Sequence, residues 1–310
     1  MKPIDFPEKY ENLMRVAQQA LAKQQYGQAR ELLQRAYELN ETFEANSLLV
    51  FCLYELDEKK EALRQAILHE PQYLSTEEFA GFYFDLLIGV KDYLYARKLI
   101  ASADFSDSFE QTLIEKIQYA EELSGQMERQ KIRGIYQTIE KLPFAEPAQQ
   151  LLLLNEVEQL PYHEFIQAVK KLIVTPEIHL LARARLLESL VQVKECTKFA
   201  YLTIEEKLID VIPKKLPRPE EQKAFQELCQ LADQYENQDA MLGASLKEEF
   251  AMQSALTYPI YDRYINHVED WFELTIEAYG GIVREEKTEE QKEVFLEKRT
   301  KILAQLMKFQ

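Results

Sequence analysis

YGQARELLQRAYELN (26–40), KKEALRQAILHEP (59–71) and YLYARKLIASADF (93–105) each carry an alanine at the same place in the same kind of segment. These alanines, Ala29, Ala62 and Ala96, follow one another at 33 and 34 residues. The flanking apolar residues recur at three- and four-residue spacing, as in an amphipathic helix. Residues 7–23 place Leu13, Val16, Ala17, Ala20 and Leu21 on one side, and residues 26–40 place Tyr26, Ala29, Leu33, Ala36, Tyr37 and Leu39 likewise. Two such helices joined by about two residues make an antiparallel hairpin. A hairpin that recurs at a fixed period predicts a stack of helical pairs, each burying its apolar face against its neighbours.

The alanine needs to be small because it falls on the second helix of each pair, where a larger side chain pushes the partner helix away. Tyr26 and Tyr93 stand three residues before their alanines, and Ala36 and Ala103 seven after theirs. With this pattern, residues 7–104 resemble the tetratricopeptide repeat (TPR) family. Three divergent repeats carry the resemblance, about a third of the chain. His69 replaces the second small residue of the middle repeat, Pro71 comes early, and the family's tryptophan-leucine-glycine opening is absent. The resemblance implies a right-handed superhelix of helical pairs, a TPR-like α-solenoid. The C-terminal third, with LADQYEN, EEFAMQSALTYP and VEDWFELTIEAYGG, resembles cytosolic TPR proteins of low-GC Gram-positive bacteria.

Three regions are expected: the repeats over 1–104, continuing TPR-like pairs over 105–196, and a C-terminal part over 197–310. In the second, FSDSFEQTLIEKIQYAEELSG sets Leu113, Ile117, Ala120 and Leu123 on one face, and prolines 143, 147, 161 and 176 punctuate later helices. The third opens on a break. TKFAYLTIEEKLIDVIP (197–213) alternates Phe199, Tyr201, Thr203 and then Leu208, Asp210, Ile212 around a polar centre, Glu205-Glu206-Lys207. That pattern predicts a β-hairpin near 198–212; the competing reading, one helix, places charges all round it. Helices then resume, Tyr279-Gly280-Gly281 reads as a stop, and 284–308 as a charged capping helix. The fold class is all-α, about fourteen or fifteen helices with one inserted hairpin.

Composition narrows the function classes. Fifty-three acidic against 37 basic residues give a net charge of −16, which repels phosphate backbones and anionic lipid. Neither a nucleic acid nor a membrane is therefore an expected partner. The start lacks a secretory apolar region, and three widely spaced cysteines fit a reduced, cytoplasmic setting. His69, His163, His179 and His267 include no metal-ligand spacing, no glycine-rich loop precedes a helix, and no nucleophile motif occurs. No cofactor, metal site or catalytic residue is expected.

In the TPR family the first helices of the pairs line a concave groove. The resemblance places Met14 and Gln18 there from the first repeat, Ser47, Phe51 and Tyr54 from the second, and Gly81, Phe82 and Asp85 from the third. The family's two-carboxylate clamp needs lysine, asparagine and arginine. This chain has Met14, Gln18, Leu48 and Phe51 instead. What remains is an apolar, aromatic groove with an acidic rim of Glu11, Glu44, Glu55, Glu78 and Asp85. Its expected occupant is a protein or peptide with a basic and apolar face, and the expected function a non-catalytic adaptor or scaffold. One alternative is that Phe51, Tyr54 and Phe82 pack between helices as core. Others are a peptide-sensing regulator of TPR type and, more remotely, an enzyme with a site around His267, Glu269, Asp270 and Trp271.

Overall fold

The computed structural model describes residues 9–280 and 287–309. Among them are seventeen α-helices and one two-stranded antiparallel sheet. The mostly helical class and the hairpin agree with the sequence. The two helices beyond the expected count include short segments of four and five residues, Glu70–Tyr73 and Tyr261–Ile265. The chain divides into two compact units, Met1–Leu123 and Ser124–Gln310.

The first unit is built from α1 (Tyr10–Ala22), α2 (Tyr26–Leu39), α3 (Phe43–Glu55), α4 (Lys59–Ile67), α5 (Glu70–Tyr73), α6 (Glu77–Val90) and α7 (Tyr93–Ser102). α8 (Asp107–Met127) follows and contributes its first four turns. Consecutive helices pack in order, α1 on α2, α2 on α3, α3 on α4, α4 on α6 and α6 on α7. Ala29, Ala62 and Ala96 have no exposed surface, as close helix packing requires. The three turns within pairs are also alike. Gln24, Asp57 and Lys91 adopt left-handed backbone at φ 57°, 60° and 68°. The next residue's N–H reaches back five positions each time, Gln25 to Ala20, Glu58 to Leu53 and Asp92 to Leu87, all at 2.9 Å. This Schellman closure satisfies carbonyls that a helix end leaves open. Thr42 and Thr76 cap α3 and α6 by accepting from the N–H groups of Ala45 and Phe79.

The middle pair departs from the others at the sequence's odd residues. α4 stops at Ile67, and α5 begins with Glu70-Pro71. His69 stands between them, accepting or donating at 2.8 Å to the Tyr37 hydroxyl. Around α5 lies a partly buried polar network. Tyr73 donates to Asn46 Oδ1 at 3.1 Å, and Asn46 donates to the Gln65 carbonyl at 2.9 Å. Tyr83 and Tyr95 both donate to Glu70 Oε2 at 2.7 Å.

The second unit continues with α9 (Arg129–Lys141), α10 (Pro147–Val157), α11 (Tyr162–Leu172) and α12 (Leu180–Gln192). The hairpin β1 (Phe199–Leu202) and β2 (Leu208–Val211) comes next. Then follow α13 (Lys223–Tyr235), α14 (Ala240–Thr257), α15 (Tyr261–Ile265), α16 (Val268–Ala278) and α17 (Glu289–Leu306). Gly280 takes a left-handed turn at φ 76° where the stop was expected; Gly281 and positions 284–286 of the expected capping helix lie outside the described residues.

The hairpin pairs Phe199 with Val211 and Tyr201 with Ile209. Phe199, Tyr201 and Thr203 face inward, as their alternation suggested, whereas Leu208 and Asp210 form the exposed set of β2. Glu206, at φ 57°, supplies the left-handed residue the turn needs. The Leu202 N–H donates to the Ile173 carbonyl at the end of α11, and Arg183 of α12 donates to the Leu202 carbonyl. The ribbon therefore covers a helix end.

His179 ties α12 to the far end of the chain. Its Nδ1 accepts from the Leu181 N–H at 3.2 Å, capping α12. Nε2 must then carry the proton and donate to the Gln305 carbonyl at 3.1 Å. Burial, together with the cations Lys308 and Arg183, holds the imidazole below its ordinary 6.5, against the opposing pull of the Gln305 carbonyl. Its contribution to stability is complete above about pH 6.5 and is lost as pH falls toward the depressed value, because the unfolded chain then binds the proton more readily. His179→Asn is expected to flatten that limb. The check is urea unfolding of both proteins from pH 7.5 to 5; identical slopes would remove His179 from the linkage.

Candidate functional site

On α3, residues 44, 48, 51 and 55 share a face, as do 78, 82, 85 and 89 on α6 and 11, 15, 18 and 22 on α1. The repeat spacing puts Gln18, Phe51 and Asp85 in equivalent positions, and likewise Glu11, Glu44 and Glu78. On this face Phe51 is 38% exposed. Its ring centroid lies 6.0 Å from Tyr26 and 6.4 Å from Phe82, and Phe82 in turn lies 5.5 Å from Tyr54. Four aromatic rings thus form one continuous strip across three helical pairs. Tyr54 and Phe82 are half-buried against the core of the unit. The strip is therefore anchored beneath and open above.

The structure alters the expected set in three ways. Met14 is only 5% exposed and packs with Leu13, Ala17 and Ala20 in the core, which takes it off the open face. Gln18, one turn later on the same helix, is exposed. Asp85 is half-buried and paired with Lys116 of α8, so its charge is partly answered within the unit. Tyr26, which the sequence marked only as a repeat position, joins the strip. Partial desolvation and the Glu55 carboxylate hold its phenol above the ordinary tyrosine value.

Gly81 sits in mid-helix beside Phe82, and a Cβ built there meets nothing within 4 Å. A mid-helix glycine costs about 0.5–1 kcal/mol relative to alanine, and no packing contact within the protein requires it. Glu11, Glu44 and Glu78 each sit in the first turn of their helix, where a carboxylate complements the helix dipole. Glu55 lies at the last turn of α3, where the same dipole disfavours it.

Elsewhere in the first unit, a cleft of about 450 Å³ opens beside α2 and α4. It is lined by charged side chains, among them Arg30, which pairs with Glu58 at 2.7 Å, and Glu61, which pairs with Arg64 outside the lining. Cys52 is buried, and burial pushes its thiol up to about 11, away from nucleophilic use. Among the described residues no group of three or more His, Cys, Asp or Glu could hold a metal ion. None of the described helices is long and apolar enough to cross a membrane. Comparison of the chain with family models, curated proteins and solved structures gave no match.

Proposed function

We propose that this protein is a non-catalytic adaptor of TPR type. Its first unit holds a partner protein or peptide on the open face of α1, α3 and α6. The observation that carries this reading is the strip Tyr26–Phe51–Tyr54–Phe82, anchored in the core yet open to solvent. Aromatic rings held in this way are the usual centres of binding energy, since they bring large area at low entropic cost. Glu11, Glu44, Glu55 and Glu78 flank the strip, against Arg15 as the exposed cation on the same face. The occupant that complements it is a segment with a basic and apolar side. Gly81 supports the reading from a different direction, as room for a partner backbone.

Titration of two labelled synthetic peptides, a basic amphipathic one and its acidic counterpart, tests this by fluorescence anisotropy. The basic peptide is expected to bind, and Phe51→Ala with Phe82→Ala to weaken it about tenfold or more with little change in helical signal. Gly81→Ala is expected to raise stability by up to about 1 kcal/mol while lowering affinity, a pair of opposite signs that a purely structural glycine does not give. A loss of about 3 kcal/mol or more in stability for each phenylalanine would show that the rings serve the core instead. Equal binding of both peptides would remove the charge argument.

A further inference from the structure

The second unit carries a cleft of its own, of about 320 Å³, between the α15–α16 turn and α17. That volume is at the small end of the range for ligand pockets. Its floor is buried and apolar: Ile265, Trp271, Leu274 and Phe295 are each 3–5% exposed. The Trp271 and Phe295 rings meet edge to face at 4.8 Å. Trp271 is fixed from behind by an indole N–H bond to Gln253 Oε1 at 2.9 Å. The wall on one side turns at Asn266, whose backbone (φ 63°, ψ −54°) is one that a non-glycine residue rarely adopts.

The charges around the mouth are unequally available. Lys298 donates to the Tyr264 carbonyl and lies over the Tyr264 ring at 5.2 Å, so its cation is turned into the protein. Asp270 is engaged by Lys287 at 2.8 Å and by the Gln291 amide at 3.0 Å. Gln291 in turn closes the capping box of α17 with Thr288. Glu290 lines the cleft exposed and makes no ion pair among the described residues, and the His267 imidazole also stands exposed on the lining. The free charge facing the cleft is therefore a carboxylate above an aromatic floor.

We propose that this cleft binds a small organic cation with an aromatic or branched apolar body, the amine meeting Glu290 and the body resting on Trp271 and Phe295. Apolar floors with few convergent polar groups fix small ligands in this way. The site lies wholly in the second unit and does not depend on the partner face of the first.

Trp271 is the one tryptophan of the chain, so tryptophan emission reads the cleft directly. The probes are phenethylamine and its acid counterpart 3-phenylpropionate, titrated against the full chain. Phenethylamine is expected to change the emission saturably with a Kd of about 1 mM or below, and 3-phenylpropionate at least about tenfold more weakly. Glu290→Gln should weaken the amine about fivefold or more, and Val294→Arg, at a position 48% exposed, should abolish the response by filling the mouth. Equal responses to amine and acid, no saturation by about 10 mM, or a response that survives Val294→Arg would each overturn the proposal.

Discussion

Arg97→Met is expected to destabilise the first unit by about 3 kcal/mol. Arg97 of α7 grips Glu121 of α8 through two bonds, Nε to Oε1 at 3.3 Å and Nη2 to Oε2 at 2.6 Å. The two side chains are 15% and 9% exposed, so water screens the pair poorly. Losing the guanidinium leaves a carboxylate in surroundings that disfavour its charge. The cost is that of a buried carboxylate stripped of its guanidinium rather than the net worth of the bridge. Arg97→Met with Glu121→Leu is therefore expected to regain most of the loss, because apolar replacement of both partners removes the desolvation problem. Urea unfolding of the single and double variants measures both quantities. A single-variant cost below about 1 kcal/mol would place the attachment of α8 on its apolar contacts, Leu113 and Ile117, alone.

The repeat was legible because its cause is local and periodic. Ala29, Ala62 and Ala96 are each fully buried, which leaves one small buried residue every 33 or 34 positions. The hairpin was legible for a similar reason, since Phe199, Tyr201 and Thr203, at every second position, are all buried. Its second strand read less well: Leu208 is apolar yet 63% exposed, so polarity alone assigned no inner face. The turns within pairs were invisible as left-handed positions. Gln24, Asp57 and Lys91 occupy backbone that glycine favours, and the Schellman bonds that hold them there are made by main-chain atoms that leave no mark on composition.

The aromatic strip was partly legible. The family resemblance placed Gln18, Phe51, Asp85 and Met14 alike in the groove, and of these Met14 is buried. Exposure depends on how far each helix is rotated against its partner, and a rotation of one residue, 100°, exchanges core for solvent. The ion pair of Asp85 with Lys116 joins residues far apart in sequence, and no periodicity announces it. The second cleft was foreshadowed only by the remote enzyme alternative around His267, Glu269, Asp270 and Trp271; its other wall comes from α17, which sequence offers as a charged capping helix.

Glu70→Leu is expected to cost about 2–4 kcal/mol, although Glu70 looks in sequence like one more surface acid before a proline. A single oxygen, Oε2, accepts from both Tyr83 and Tyr95 at 2.7 Å. Tyr83 has no exposed surface and also stacks on Tyr73, with centroids 5.5 Å apart. Burial, then the bonds to Glu70, hold both phenols protonated well above the ordinary tyrosine range, so both remain donors under all physiological conditions. Without the carboxylate, the Tyr83 hydroxyl loses its acceptor in the interior, at about 1–3 kcal/mol, and the half-buried Tyr95 adds less because water can reach it. Glu70→Gln keeps an acceptor oxygen in place and is expected to cost about 1 kcal/mol, the difference between a charged and a neutral bond. Tyr83→Phe combined with Glu70→Leu removes donor and acceptor together and should lie closer to wild type than Glu70→Leu alone. The ordering of the three variants in urea unfolding decides the matter. If Glu70→Gln is as damaging as Glu70→Leu, the charge and not the accepted bonds is what α5 supplies, and the tyrosine pair is not its purpose.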